Sequence, residues 1–500
     1  MGYVIDMSMA RKILSNTFIQ IGGKIVGALI SVVIVKLITN FLSVEGYGQY
    51  VSVYEFLAFF GIIADLGLFT IAVREMAKNE QPPEFILGNI LSMRTLFSLG
   101  AMGLAILVAF IVPQYQGTYI PIGVAIASIS VFFSILNGTV SSVLQIHLKM
   151  QYPTIALVVG KIVSVGYMIY VILVAFQAPS AEAFYQLLWA GVAGNFLMLV
   201  ITWFYAAKYA KIQFLFDFYY WRNTLVKALP YGIALILNMI YFRFDSILLL
   251  LLKDSREVAY YGVPMRILDI LSIIPVYFMN SVLPVLTICI KENVQKAQQI
   301  VQHCFDFMLS LAVPIVVGAQ VLAYPLIFII SSPDYLSRLG DGFYGSDIAL
   351  RILIVAMAFS FISSIFTFSL ISIGNQGKLL FISLGGAVVN LACNFIVIPR
   401  FGFLGAAFTS VLSEAFILTF AFLMLRQYFP LKLHFGAAFK ILFSALIMGV
   451  VVWVLRDPLY GLIENFNFLV LLPLGVAVYG FMLWATGVIN KERLALLRGK

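Results

Sequence analysis

The sequence predicts an all-α polytopic membrane protein with about fourteen transmembrane helices. Of the 500 residues, 62% are hydrophobic and only 11% are charged, and the mean hydropathy is +1.03. A soluble domain is roughly 45–50% apolar and about 25% charged, because its surface has to interact with water. The second observation is a series of long apolar segments, since a helix needs about 20 apolar residues to cross the hydrocarbon core.

Several apolar segments are longer than a straight crossing requires, which predicts tilt, kinks or extension into water. The first segment is too long for the h-region of a signal peptide and has no small-residue cleavage pattern, so we interpret it as the first transmembrane helix. The fourteen predicted spans are 13–40, 47–73, 88–112, 120–147, 153–175, 184–207, 225–252, 258–290, 300–330, 347–372, 379–398, 403–427, 435–455 and 466–489.

Basic residues are distributed unequally between the two ends of these segments. With a cytoplasmic N-terminus, lysines and arginines on the cytoplasmic side outnumber those on the outer side by about three to one, as the positive-inside rule requires. The outer side holds mainly Lys253, Arg256, Arg338, Arg400 and Arg456. The sequence therefore predicts that both termini are cytoplasmic. Because topology accounts for most of the net charge of +9, that charge does not indicate a nucleic-acid partner.

A weak internal repeat predicts two halves of six spans each. When the chain is shifted by 214 residues, Tyr47 aligns with Tyr261 and Glu55 aligns with Asp269. Internal repeats around a midplane site are the usual architecture of secondary transporters. The predicted divisions are 1–223 for the N-terminal lobe, 224–430 for the C-terminal lobe, and 431–500 for two extra helices with a cytoplasmic tail.

The sequence carries no signature of an enzyme. It contains no phosphate-binding GxxxxGK[ST] loop, no HExxH and no GxSxG, so we predict neither catalytic residues nor ATP hydrolysis. Three scattered cysteines and three histidines support neither a metal site nor a disulfide framework. The longest outer loop, 331–346, is too short to fold as a domain, so the function is expected to lie within the membrane.

Ionisable side chains inside the apolar segments are the candidate functional residues, because each costs about 2.5 to over 10 kcal/mol in the bilayer. The candidate substrate-binding cations are Lys24, Lys161, Arg243 and Arg266. The candidate ion-coupling or salt-bridge carboxylates are Glu55, Asp65, Asp245 and Asp269. At about 1.5 Å per residue, Arg243 and Arg266 lie at similar depths, about 12–13 Å from the outer ends of their spans.

Two interpretations of these charges remain open: salt bridges that join helices, or the lining of a wet cavity. Arg266 and Asp269 are three residues apart and share a helix face. Arg243 and Asp245 are two apart and are not expected to pair. Arg94 is expected to snorkel toward the cytoplasmic surface. The surplus of positive charge favours an anionic cargo, above all one with phosphates.

The chain resembles the bacterial polysaccharide flippases, the Wzx-type exporters of O-antigen units. The resemblance rests on LSVEGYGQY between the first two spans, on ADLGL and AVRE at the end of the second, and on GNQGK and GFLGAA around the eleventh and twelfth. That family belongs to the superfamily of multidrug and toxin extruders and lipid II flippases.

The resemblance implies two six-helix lobes around a central cavity lined by spans 1, 2, 7 and 8. It implies a flippase that carries undecaprenyl-pyrophosphate-linked oligosaccharide, a polysaccharide repeat unit, to the outer leaflet of the bacterial cytoplasmic membrane by alternating access. No cofactor is expected, although Na⁺ or H⁺ coupling at one of the carboxylates is a hypothesis. The expected partners are the lipid-linked oligosaccharide, the bilayer, and a polysaccharide polymerase with other assembly proteins.

Three alternatives follow from the same residues. A lipid II flippase is the alternative that the sequence separates least well from a polysaccharide flippase. A cation-coupled multidrug antiporter of the same fold would need a net acidic cavity and usually has twelve spans. A membrane enzyme such as an O-antigen polymerase or ligase would need a larger outer loop.

Overall fold

The chain is helical nearly throughout, because a backbone in hydrocarbon must satisfy its hydrogen bonds internally. The structure, a computed structural model, describes residues 7–78 and 80–488, and their side chains except those of 7–18, 21, 230, 231, 234 and 237–242. The predicted basic tail lies outside the described residues. Within the described ranges, β-pairing is limited to one isolated bridge between Arg338 and Phe343. The prediction of an all-α fold is confirmed.

The chain divides into two compact units that meet between Ala259 and Tyr260. The helices of the first unit are α1 (Met7–Phe41), α2 (Val44–Asp65), α3 (Leu68–Lys78), α4 (Pro83–Ile111), α5 (Ile120–Ile146), α6 (Gln151–Tyr170), α7 (Ala181–Ala206) and α8 (Phe218–Leu252). Here α5 and α6 both pack on α7, α1 packs on α6, and α2 contacts α4, α5 and α8.

The unit boundary falls within α9 (Ser255–Leu271), and the remaining helices belong to the second unit. They are α10 (Ile273–Glu292), α11 (Val294–Ile330), α12 (Ser346–Ser372), α13 (Gln376–Tyr428), α14 (Gly436–Ile463) and α15 (Phe468–Ala485). In this unit α12 packs between α11 and α13, and α11 also contacts α14.

Eleven helical segments of the described chain are long and apolar enough to cross a membrane. One of them, α13, has 53 residues and is kinked at Gly402, where φ is 55°. At about 1.5 Å per residue this helix is long enough for two crossings of a hydrocarbon core about 30 Å thick. The kink lies between the predicted spans 379–398 and 403–427. The total of fourteen spans stays a prediction.

The second predicted span consists of two helices rather than one. Asp65 ends α2, Leu66 and Gly67 follow with φ values of 44° and 76°, and α3 begins at Leu68. At Gly232 of α8 an added Cβ would lie 2.9 Å from the carbonyl oxygen of Leu66, so this glycine lets α8 approach the break closely. The sequence predicts one span over 47–73 and kinks in the longer spans, but it does not predict the position of this break.

The start of α8 is fixed to α4 by a buried amide. The Asn89 side chain is fully buried, and its Oδ1 accepts from the backbone N–H of Asp217 at 2.8 Å and from the indole N–H of Trp221 at 3.0 Å. These bonds hold α8, and with it Arg243, within the first unit. The lobe boundaries drawn from the sequence, with span 7 in the second lobe, stay predictions.

Candidate functional site

The first part of the candidate site is an ion pair between α2 and α8. Arg243 donates from Nη1 to Oε1 of Glu55 at 3.0 Å. The Glu55 side chain is 8% exposed, whereas that of Arg243 is 30% exposed. The Glu55 side chain is therefore enclosed, while part of the arginine side chain stays accessible. Asp245, which lies two residues after Arg243 on α8, is buried.

A second ion pair joins α4 to the break between α2 and α3. Arg94 is buried, and its Nη2 lies 2.6 Å from Oδ1 of Asp65. Its Nη1 donates to Oγ1 of Thr139 on α5 at 2.8 Å. Asp65 Oδ1 also accepts from the backbone N–H of Phe69 in the first turn of α3, at 3.4 Å. One carboxylate thus contacts both a buried cation and the start of a helix.

The expectation that Arg94 snorkels to the surface is wrong. The predicted span begins at residue 88, but α4 begins at Pro83, which places Arg94 about 16 Å along the helix. At that depth the carboxylate of Asp65 and the hydroxyl of Thr139 take the place of water as hydrogen-bond partners.

A third contact links α1 and α6 through a lysine. Lys161 donates from Nζ to the backbone oxygen of Gly27 at 2.7 Å and to Oγ of Ser31 at 2.6 Å. Neither of these two acceptors is a carboxylate. Lys24 lies three residues before Gly27 on α1 and its side chain is exposed. Two of the candidate cations therefore belong to the same pair of helices.

In the second unit, Arg266 and Asp269 form an ion pair within α9, with Nη1 and Oδ2 3.5 Å apart. Their side chains are 31% and 35% exposed. A partly exposed ion pair of this kind contributes about 0–1 kcal/mol in water. Further along the unit, the buried Asp306 accepts from the side-chain amide of Gln302 at 2.9 Å.

The predicted site residues are distributed over both units. Lys24, Glu55, Asp65, Lys161, Arg243 and Asp245 lie in the first unit, and Arg266 and Asp269 lie in the second. The central cavity that would bring all eight together stays a prediction. Among the described residues, no three His, Cys, Asp or Glu side chains are grouped to hold a metal ion, and coupling to Na⁺ or H⁺ also stays a prediction.

Sequence reasoning missed the partner of Arg243, for which the sequence held only a partial signal. Arg243 lies nine residues from the end of α8 at Leu252, and Glu55 lies eleven residues from the start of α2 at Val44. These distances correspond to depths of about 14 Å and 16 Å. Matching depths makes Glu55 a candidate partner, but Arg266 lies at a similar depth, so depth alone does not select the Arg243 pair. Thr139 carried no such signal, because a threonine in an apolar helix is unremarkable.

Solved structures of low sequence identity share this fold. The lipid II flippase MurJ, in an inward closed conformation, matches with a TM-score of 0.73 at 15% identity, over 94% of this chain and 98% of that chain. An inward-facing multidrug resistance MATE family transporter of the MOP superfamily matches with a TM-score of 0.60 at 15% identity, over 80% and 94%. The chain therefore shares the fold of these two membrane proteins.

A third structure with this fold is a MOP superfamily transporter from Pyrococcus furiosus, described as having a binding pocket of reverse polarity. It matches with a TM-score of 0.56 at 15% identity, over 83% of this chain and 95% of that chain. A search of curated protein sequences finds no significant match.

The family is shown by the sequence itself. The model of the polysaccharide biosynthesis protein family matches residues 13–288, more than half of the chain. The chain belongs to this family, and the resemblance to polysaccharide transporters noted from its motifs is confirmed at that level.

Proposed function

We propose that this protein is a Wzx-type flippase that moves undecaprenyl-pyrophosphate-linked oligosaccharide from the cytoplasmic to the outer leaflet by alternating access. Membership of the polysaccharide biosynthesis family supports a cargo that contains sugar. The likeness to a lipid II flippase supports a fold able to move a lipid-linked head group. The proposed location is the bacterial cytoplasmic membrane, with both termini in the cytoplasm.

The observation that carries the proposal is the geometry of Arg243. Glu55 holds its guanidinium at a fixed depth in α8, while 30% of the arginine side chain stays exposed. A guanidinium is weakly hydrated and binds two phosphate oxygens at once, so it favours a pyrophosphate even after water is removed. An enclosed carboxylate beside it orients the cation for an incoming anion.

The charge balance of the first unit points the same way. Among its candidate residues and Arg94, four cations stand against three carboxylates. The cations are Lys24, Arg94, Lys161 and Arg243, and the carboxylates are Glu55, Asp65 and Asp245. A positive surplus suits an anionic head group and opposes a cationic drug, which distinguishes this proposal from a multidrug antiporter.

The test is the rate at which the purified protein in liposomes flips undecaprenyl-pyrophosphate-linked oligosaccharide. The variant Arg243→Ala, Arg266→Ala removes one candidate arginine from each unit. Its matched control is Arg256→Ala, Arg338→Ala, which also removes one arginine from each unit, at side chains that are 66% and 55% exposed. We expect the first variant to lose at least about tenfold in rate, a change of about 1.4 kcal/mol, and the control to keep wild-type rates.

Two other results would overturn part of the proposal, and a third measurement tests ion coupling. Wild-type rates in Arg243→Ala, Arg266→Ala would make these arginines structural. A wild-type protein that leaves the lipid-linked oligosaccharide in place but exports a cationic dye would be an antiporter. Loss of flux without a proton or sodium gradient would identify the coupling ion, and flux without any gradient would exclude ion coupling.

A second candidate, a lipid II flippase, is favoured by the fold match over 98% of the MurJ chain. Lipid II also carries a pyrophosphate and sugars, so the same cations would serve it. The two functions are separated by running the assay with each lipid at equal concentration. Faster movement of lipid II than of the oligosaccharide carrier would select this second candidate.

A further inference from the structure

A cavity of about 410 Å³ lies in the second unit, at one end of α11, α12 and α14, and none of the candidate cations lines it. Its volume falls within the range of about 300–1,000 Å³ typical of small-molecule sites. We call it the α11–α14 pocket. Its polar and aromatic lining includes Tyr324, Asp347, Arg351, Tyr460, Asn465 and Asn467.

One wall of the pocket is a structured loop between α11 and α12. The buried carboxylate of Asp347 accepts at Oδ1 from the backbone N–H and the hydroxyl of Ser337, at 2.9 Å and 2.6 Å. The Ser337 hydroxyl oxygen in turn accepts from the N–H of Gly345 at 2.8 Å. The Arg338–Phe343 bridge closes the same loop. These hydrogen bonds preorganise the wall, so less conformational entropy is lost when a ligand binds.

Two buried polar atoms of the lining have no hydrogen-bond partner. Asn467 is 1% exposed, and its Nδ2 donates to the backbone oxygen of Arg456 at 3.1 Å, but its Oδ1 accepts from nothing. Nε of Arg351 donates to nothing. An unsatisfied buried group costs about 1–3 kcal/mol. Two residues of the lining thus carry one unused acceptor and one unused donor.

The charges of the lining nearly cancel. Arg456 donates from Nε to Oδ1 of Asp457 at 2.9 Å, and Arg351 lies one turn after Asp347 on α12. Two arginines and two aspartates leave little net preference for an anion or a cation. A ligand whose groups both donate and accept matches both kinds of unused atom, and the tyrosine rings of the lining offer apolar faces to C–H groups.

We infer that the α11–α14 pocket binds a neutral, hydroxyl-rich sugar. Sugar hydroxyls each donate and accept, and the C–H face of a pyranose packs on aromatic rings such as those of Tyr324 and Tyr460. The loop 331–346 is predicted to lie on the outer side of the membrane, so the pocket would hold glycan there. That the glycan is part of the cargo rests on the proposed function, but sugar binding by the pocket does not.

The experiment measures binding of fluorescently labelled di- and tetrasaccharides of neutral hexoses and N-acetylhexosamines to the full chain in nanodiscs. The test variants are Tyr460→Ala and Asn465→Ala. The matched control is Tyr344→Ala, because Tyr344 and Tyr460 are 52% and 50% exposed and only Tyr460 lines the pocket. We expect saturable binding by the wild type, a Kd raised about tenfold in each test variant, and an unchanged Kd in the control.

Free pyrophosphate is added as a competitor, and displacement of the sugar by it would make the pocket an anion site and overturn the inference. An absence of saturable binding by the wild type would overturn it too, as would an unchanged Kd in both test variants. Flipping is measured in parallel. Flipping without sugar binding would support the proposed function and overturn the inference that the pocket binds sugar. Sugar binding without flipping would support the inference and overturn the proposed function.

Discussion

The guanidinium of Arg94 lies 2.6 Å from the carboxylate of Asp65, at the residue where α2 ends. The side chains are 5% and 22% exposed, so the pair is largely withdrawn from solvent. Removing only one partner of a buried ion pair is destabilising, because the remaining charge stays buried without compensation for its desolvation.

We therefore expect Arg94→Ala to lower the free energy of unfolding by about 3–5 kcal/mol. The measurement is the thermal unfolding midpoint of purified protein in detergent. Arg94→Met combined with Asp65→Asn, which removes both charges, should recover much of the loss. If the double variant is as unstable as Arg94→Ala, the ion pair is not the source of the effect.

Charge reversal separates the structural role of Arg243 from its proposed role with substrate. Glu55→Arg alone places two cations together and should impair folding. Glu55→Arg with Arg243→Glu restores an ion pair between α2 and α8, so unfolding should return toward the wild-type midpoint. Flipping should stay lost, because the cation then projects from α2 instead of α8. Recovery of both folding and flipping would show that only the salt bridge matters.

Gly232→Ala should destabilise the first unit by about 1–3 kcal/mol, since the added methyl group would meet backbone atoms of Leu66. The control is Gly100→Ala on α4, where nothing lies within 4 Å of an added Cβ. That substitution should be neutral or stabilising by up to about 1 kcal/mol, because alanine is the better helix former. Proteolytic resistance of the two variants gives the comparison. Equal resistance would mean that α8 is not in close contact with the break.

Asn89→Ala should cost about 1–3 kcal/mol for each of the two donors that it leaves unsatisfied, on Asp217 and Trp221. Asn40→Ala removes an exposed amide that donates to the backbone oxygen of Lys36, and it should have little effect. Tryptophan fluorescence during unfolding reports the difference. A wild-type midpoint for Asn89→Ala would show that α8 is positioned by other contacts.

Hydropathy was sufficient to predict the all-α fold and many helix limits. The predicted span 347–372 corresponds to α12 (Ser346–Ser372), and 225–252 lies within α8 (Phe218–Leu252). The break at Leu66 was not predictable, because apolar residues on both sides read as one continuous helix. Only Gly67 marks it, and a single glycine in a membrane helix is common.

The partners of the buried charges were harder to predict than the charges themselves. An arginine in an apolar segment is visible in the sequence, but its partner depends on which helices are neighbours and how each is rotated. Hydropathy fixes neither. That is why Arg243 was not paired with Glu55, and why Arg94 was expected at the surface rather than beside Asp65 and Thr139.

The interruption between α2 and α3 also creates two helix termini inside what would otherwise be a single rod. The last carbonyls of α2 carry a partial negative charge and the first amides of α3 a partial positive one, which is the macrodipole of each segment. The carboxylate of Asp65 lies at the N-terminus of α3, where it accepts a hydrogen bond from the backbone N–H of Phe69. An anion arriving from solution would therefore have to displace an internal carboxylate to reach this terminus, which is consistent with the proposal that Arg243 binds the head group instead.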